Sequence, residues 1–127
     1  MRRFILLLFL VIAAITTGCS SSKNSGSYKV YDKSAKACFY ADKYNGNKTA
    51  SGEKFSNSKY TAAHRKLPFG TKVRVTNKAN GKYVVVTVND RGPFSGGFDI
   101  DLTRKAYMDI SDSKSRGEMK VLLEIQK

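Results

Sequence analysis

The chain has 127 residues, 23 lysines and arginines against 10 acids, a single histidine and a net charge of +13. That length holds one small domain plus a tether, and no second domain is expected. One histidine argues against a zinc enzyme, whose metal takes three protein ligands and commonly at least two histidines, so no metal and no cofactor are expected. The positive charge raises encounter rates with polyanions without saying which one.

The first eighteen residues read as an export signal: Arg2 and Arg3 precede an apolar run from Phe4 to Ile15 that is too short to span a bilayer, which takes about 20 residues. The run ends at Thr16-Thr17-Gly18-Cys19 followed by serines, which resembles the lipobox of bacterial lipoproteins, with Thr16 where an aliphatic residue is usual. Residues 1–18 are therefore expected to be removed and Cys19 to carry lipid. The mature chain would keep 109 residues and, with Arg2 and Arg3 gone, 21 basic residues against 10 acids, a net charge of +11. Export argues against nucleic acid as partner and for the cell envelope, with its anionic headgroups and wall polymers. Many of the lysines need be no more than a solvated face. A lipidated Cys19 leaves Cys38 without a disulfide partner, and Cys38 reads as a small buried residue rather than a nucleophile.

Residues 19–36 are rich in Ser, Lys and Asn without a period and are expected to form a flexible tether, with the folded domain over 37–127. Ala37 to Tyr40 reads as a short first strand. Asp42 to Ser58 reads as a long loop, of a length that tends to be functional in compact domains, and holds Glu53 after Gly52. Thr61 to Arg65 suggests a helical turn ended by Pro68 and Gly70.

Thr71 to Asn77 alternates, Val73 and Val75 opposing Lys72, Arg74 and Thr76, as a half-buried strand does. Asn80-Gly81 suits a type I′ turn, and Tyr83 to Val88 is the returning strand of a hairpin. The density of β-branched residues in Val84 to Val88 is compatible with burial on both faces. This strand runs into Asn89-Asp90-Arg91-Gly92-Pro93-Phe94, where Gly-Pro stops it and leaves Asp90 at the junction of a rigid strand and a loop. Asp90 is either a placed catalytic carboxylate or a turn Asp bonding its own backbone.

Phe98, Ile100 and Leu102 alternate with Asp99 and Asp101, so both carboxylates share one side of a short strand. Thr103 reads as an N-cap for a helix over Arg104 to Ile110, with Leu102, Ala106 and Ile110 on its buried face. Met119, Val121, Leu123 and Ile125 alternate in a last strand after a turn at Gly117. Five or six strands with one or two short helices make a mainly β domain, and a small closed barrel would bury them without raw edges. No internal repeat and no second domain show. Of the aromatics in loops, Tyr44, Phe55, Tyr60, Phe69 and Phe94, most read as satellite core and one or two as stacking platforms.

Several motifs stand in a fixed order: Thr49-Ala50-Ser51-Gly52-Glu53, Thr61-Ala62-Ala63-His64-Arg65-Lys66-Leu67-Pro68-Phe69-Gly70-Thr71, Val73-Arg74-Val75-Thr76-Asn77, Asn80-Gly81, Val86-Thr87-Val88-Asn89-Asp90-Arg91-Gly92-Pro93-Phe94 and Ile100-Asp101-Leu102-Thr103. In this set the chain resembles the rare lipoprotein A family, envelope lipoproteins built on a six-stranded double-psi β-barrel. The resemblance implies an endolytic peptidoglycan lytic transglycosylase that cuts the glycosidic bond after N-acetylmuramic acid and leaves a 1,6-anhydro end. It implies Asp90 as catalytic acid/base with Glu53 and His64 as partners, and Arg91, Asp101, Tyr40 and Phe94 as substrate contacts. Asp101 is also the rival acid, by likeness to expansins, or else a plain helix-start carboxylate. His64 would donate to an N-acetyl or hydroxyl group, or hold Glu53. The family's Ala-Ser-Trp-Tyr-Gly opening reads here Ala37-Cys38-Phe39-Tyr40-Ala41, and the C-terminal peptidoglycan-binding repeat that some members carry is not expected after Lys127.

The chemistry fits, because a lytic enzyme uses the sugar's own 6-hydroxyl as nucleophile and can work with one acid that later acts as base. Arg91 complicates it: a guanidinium aimed at Asp90 would oppose the protonation the acid role requires. A non-catalytic, expansin-like wall binder and a basic lipoprotein that bridges envelope polymers are the alternatives. A monomer is expected, anchored by lipid on the periplasmic side of the outer membrane if the organism has two membranes.

Overall fold

A computed structural model of the chain describes residues 26–112 and 117–127. The expected signal segment and Cys19 lie outside them. Six strands, β1 (Tyr28–Phe39), β2 (Thr61–His64), β3 (Lys72–Asn77), β4 (Tyr83–Asp90), β5 (Ile100–Leu102) and β6 (Met119–Gln126), close into a barrel in the order β1-β5-β2-β4-β3-β6. One helix, α1 (Arg104–Ile110), follows β5. The barrel is the mainly β, six-stranded architecture expected.

Alternation builds the core. Ala35, Ala37, Ala62, Val73, Val75, Val86, Val88, Ile100, Leu102, Val121 and Leu123 are all buried in one cluster, with Ala106, Tyr107 and Ile110 of α1 packed against it. Small residues on β1 and β2 leave room for the large ones on β5 and β6, so the interior fills without a wide bore. The Thr103 side chain caps α1 by accepting from the Ala106 N–H, and the Asn77 and Asn80 side chains both donate to the Ile110 carbonyl at its far end. These contacts satisfy groups that so short a helix leaves open at each terminus.

Four local expectations change. β1 begins at Tyr28, well before Ala37, so residues 28–36 of the expected tether belong to the barrel. Its first half is mostly exposed and gains order from its antiparallel ladder with β6, through two register irregularities, rather than from apolar burial. Thr61 to His64 is strand, not helical turn, because it pairs on both edges: parallel with β4 and antiparallel with β5. The β3–β4 connection is not a type I′ turn, since Gly81 has positive φ (74°) and Asn80 does not. Asn80 instead holds the Lys82 N–H and the Ile110 carbonyl with its side chain. The Val84 to Val88 run packs on the core through one face only, Val84, Val86 and Val88 pointing inward while Val85 and Thr87 on the other face stay partly exposed, as the wall of a barrel requires.

The long loop after β1 is also more ordered than its composition suggests. It contains a 3-10 turn at Asp42–Tyr44 and folds back on itself by hydrogen bonds between Gly46 and Phe55, Phe55 and Asn47, and Thr49 and Glu53. Phe55 anchors it in the interior.

Candidate active site

The site starts from a register shift. β2 pairs with β4 through Thr61↔Thr87 and Ala62↔Val88, then slips so that Ala63 lies opposite Asp90. On its other edge Ala63 lies opposite Asp101, and Asp101 in turn lies opposite Cys38. Cys38, Asp101, Ala63 and Asp90 therefore form one row across four adjacent strands. Ala37, Leu102 and Ala62, next in sequence to Cys38, Asp101 and Ala63, are in the core, so by alternation those three face away from the barrel interior, and the register slip at Asn89 brings Asp90 into the same row; Ala63 itself is covered. Two strand spacings put the Asp90 and Asp101 Cα atoms about 10 Å apart.

Asp90 is held by three donors. The Ala50 N–H (2.8 Å) and its neighbour Arg91's N–H (2.9 Å) donate to Oδ1, and the Tyr40 hydroxyl donates to Oδ2 at 2.7 Å. Ala50 is in place because the Thr49-to-Glu53 turn closes on itself and the Ser51 N–H donates to the Asn89 carbonyl (3.2 Å). The Tyr40 ring is fixed against buried Phe55, centroids 4.2 Å apart, with Tyr44 edge-on at 6.2 Å. Burial, then the Asp90 carboxylate, push the Tyr40 phenol well above its ordinary value, so it remains a donor.

Asp101 is half-buried and bonded to the Cys38 thiol. Burial raises its pKa, the thiol hydrogen bond works the other way, and the Asp90 charge adds to the rise. Cys38 is pushed up in turn by burial and by Asp101, which leaves it a protonated donor and a poor nucleophile. It is half-buried rather than a core residue.

The remaining expected site residues sit around this pair. Arg91 does not face Asp90: its Nη1 donates to the carbonyls of His64 (3.3 Å) and Leu67 (2.9 Å), and the guanidinium lies 4.0 Å over the Phe69 ring. The conflict foreseen between Arg91 and the acid does not arise. His64 is buried, and its Nδ1 accepts from the Lys66 and Leu67 N–H groups (3.0 and 3.1 Å). That arrangement fixes the neutral tautomer with the proton on Nε2, and burial, with Arg65 next, lowers its pKa. Its ring touches Tyr31 edge-on and makes no hydrogen bond to Glu53 or Asp90 among the described residues. Glu53 is exposed on the turn that carries Ala50, with Oε1 3.5 Å from the Ser51 hydroxyl. Phe94, just past the cis Gly92-Pro93 bond, is 80 % exposed.

The structure thus gathers Asp90, Tyr40 and Asp101, puts Glu53 on the adjoining turn, and keeps the His64 ring apart from the carboxylates. Sequence reasoning missed Cys38 as the partner of Asp101. The signal available was Cys38 two positions before Tyr40, on the same face of the strand expected over Ala37 to Tyr40. Two hollows, of about 380 and 450 Å³, lie away from Asp90, one between Lys36, Lys78 and Glu118 and the other between Arg65, Phe94 and Asp99. Asp90 and Asp101 are themselves partly exposed, and neither lines these hollows.

A family model described as lytic transglycolase matches residues 24–123. Among curated relatives, the probable endolytic peptidoglycan transglycosylase RlpA of Synechocystis is 51 % identical over 89 residues, covering 70 % of this chain and 27 % of that protein. Endolytic peptidoglycan transglycosylase RlpA of Pasteurella multocida is 42 % identical over 100 residues (79 % and 33 %), and that of Rickettsia felis 43 % over 101 (77 % and 44 %). The chain spans less than half the length of these relatives. Among solved structures, Streptomyces papain inhibitor superposes with a TM-score of 0.60 at 21 % identity, over 80 % of this chain and all of that one, a likeness of fold alone. With the match over residues 24–123 and the barrel closed as expected, the chain belongs to the lytic transglycolase family of double-psi β-barrel, RlpA-like domains.

Proposed function

We propose that this chain is an endolytic peptidoglycan lytic transglycosylase. The observation that carries the reading is the partly exposed Asp90 carboxyl, oriented at a strand end by three donors and in one row with Asp101, neither carboxylate ion-paired among the described residues. Protonated Asp90 gives its proton to the glycosidic oxygen, and the C1–O bond breaks with its electron pair going to the leaving sugar. The 6-hydroxyl oxygen of the muramic residue then bonds to C1, and its proton returns to Asp90. No water is consumed, and the product carries a 1,6-anhydro ring.

Glu53 supplies negative charge at the rim, where oxocarbenium-like charge develops. His64 donates from Nε2 to an acetamido or hydroxyl oxygen. Phe94 and the stacked Arg91–Phe69 pair flank the glycan, with Arg91 also bracing the β2–β3 loop. Localisation follows the substrate to the cell envelope, with lipid on Cys19 as anchor and a monomeric protein on the periplasmic face of the outer membrane.

Mature protein incubated with purified sacculi and with amidase-stripped glycan strands should release anhydro-ended fragments detectable by mass. Asp90→Asn should lower their yield at least about 100-fold with folding intact. Activity surviving that change moves the acid to Asp101 or Glu53. No product from wild type on either substrate, with sacculus pull-down retained, would leave a glycan-binding module, the role to which exposed Phe94 and Phe69 are also suited.

A further inference from the structure

An ionised carboxylate has about four lone-pair sites, two on each oxygen. At Asp90 both Oδ1 sites face backbone N–H groups, from Ala50 and Arg91, and neither can be withdrawn without moving the main chain. Oδ2 has one donor, the Tyr40 hydroxyl. A single site is left on which the carboxyl can carry a transferable proton, and the position of the phenol decides which way it points.

We propose that Tyr40 is a positioning residue for proton transfer: by occupying one site on Asp90 Oδ2 it leaves one aimed site for the proton that passes to the glycosidic oxygen and returns from the 6-hydroxyl. This rests on Asp90 being the acid/base, and it assigns Tyr40 a task other than contacting the sugar. The local structure is built for it. The Tyr40 N–H donates to the Leu102 carbonyl, tying its backbone to β5, and the ring is wedged on Phe55. The phenol therefore cannot swing away without disturbing the interior anchor of the loop that supplies the Ala50 donor. Phe55 and Ala50 belong to one loop, so the contact that locks the ring also locks the second donor to the carboxylate.

Tyr40→Phe keeps the ring and its packing and removes the hydroxyl alone. A second Oδ2 site then opens, and a donor that favours the charged form is lost. The rate of anhydro-product formation from stripped glycan should fall about tenfold or more in kcat, with KM within about twofold. Loss of that donor should also change the rate-against-pH profile relative to wild type. Tyr60→Phe is the control, since it deletes an equivalent tyrosine-to-carboxylate bond, to Asp109 at 2.6 Å, away from the row of carboxylates; it should leave rate and profile unchanged.

A Tyr40→Phe enzyme with wild-type kcat and pH profile, or one changed only in KM, overturns the proposal. Should that variant not fold, 13C-labelled tyrosine decides: the Tyr40 Cζ resonance must differ between wild type and Asp90→Asn, and a resonance that stays still overturns the proposal equally. Failure of the underlying reading is distinguishable, because Asp90→Asn would then still form anhydro ends.

Discussion

Two charged places on the barrel wall are built in opposite ways. On the β3–β6 side Arg74 meets Glu124 through two hydrogen bonds of 3.0 Å, and its guanidinium lies between the Tyr28 and Tyr83 rings, at 4.3 and 5.6 Å. On the β4–β5 side two carboxylates share one row, and the ion pairs among the described residues, Lys36–Glu118, Arg65–Asp99, Arg74–Glu124 and Arg104–Asp42, include neither. A chain with 23 basic residues and 10 acids has cations to spare. Asp90 and Asp101 lack such partners among the described residues, and Arg91 turns onto main-chain carbonyls; in the proposed reading this is what separates the reactive side of the barrel from the structural one.

The comparison breaks most visibly where neutral hydrogen bonds do the holding. His64→Ala removes the acceptor of two N–H groups at the entrance to the β2–β3 loop and should destabilise by about 1–3 kcal/mol, read as a lower midpoint in urea. The same residue has a pH signature. Its folded pKa lies below the ordinary 6.5, so its contribution is present above that value and is lost as pH falls through the folded one. Wild type should weaken on acidification through this range more than His64→Ala does.

Asp101 gives a smaller effect of opposite sense. Its folded pKa is raised, so its contribution is complete below pH 3.8 and is lost as pH rises through the folded value. Asp101→Asn, which keeps an acceptor for the Cys38 thiol, should melt above wild type at neutral pH and level with it near pH 3. A variant that melts lower at neutral pH would mean that the ionised carboxylate is a stabilising group after all. Least of all should change at the paired side. Glu124→Gln keeps one hydrogen bond to Arg74 and should cost no more than about 1 kcal/mol, with anhydro-product formation unchanged.

What could be read from the chain followed its periodicities. β3, the last strand, and the Thr103-capped helix show clean two-residue or helical spacing, and each appears where expected. β2 was misread because Ala62-Ala63-His64 has no period of its own; two flanking strands make it a strand, and they lie 20 or more residues away. The first half of β1 was missed for the related reason that little of it is buried. At the site, Asp90 could be placed from the Val-rich run and the Gly-Pro stop alone. Its hydroxyl donor is 50 positions away, and the thiol on Asp101 is 63 away. No local pattern encodes such contacts; only barrel closure creates them.

The strand order has a consequence for when the protein can act. Asp90, Tyr40, Ala50 and Asp101 sit on chain segments that become neighbours only when β5 inserts between β1 and β2 and β2 reaches β4. Distant pairings of this kind are made late and cooperatively. A fragment or half-formed barrel would lack the donors that orient the carboxylate, so the proposed cutting activity would arrive only with the completed fold. In the proposed reading, in which the chain is exported unfolded to a glycan target, that topology would itself be a safety catch.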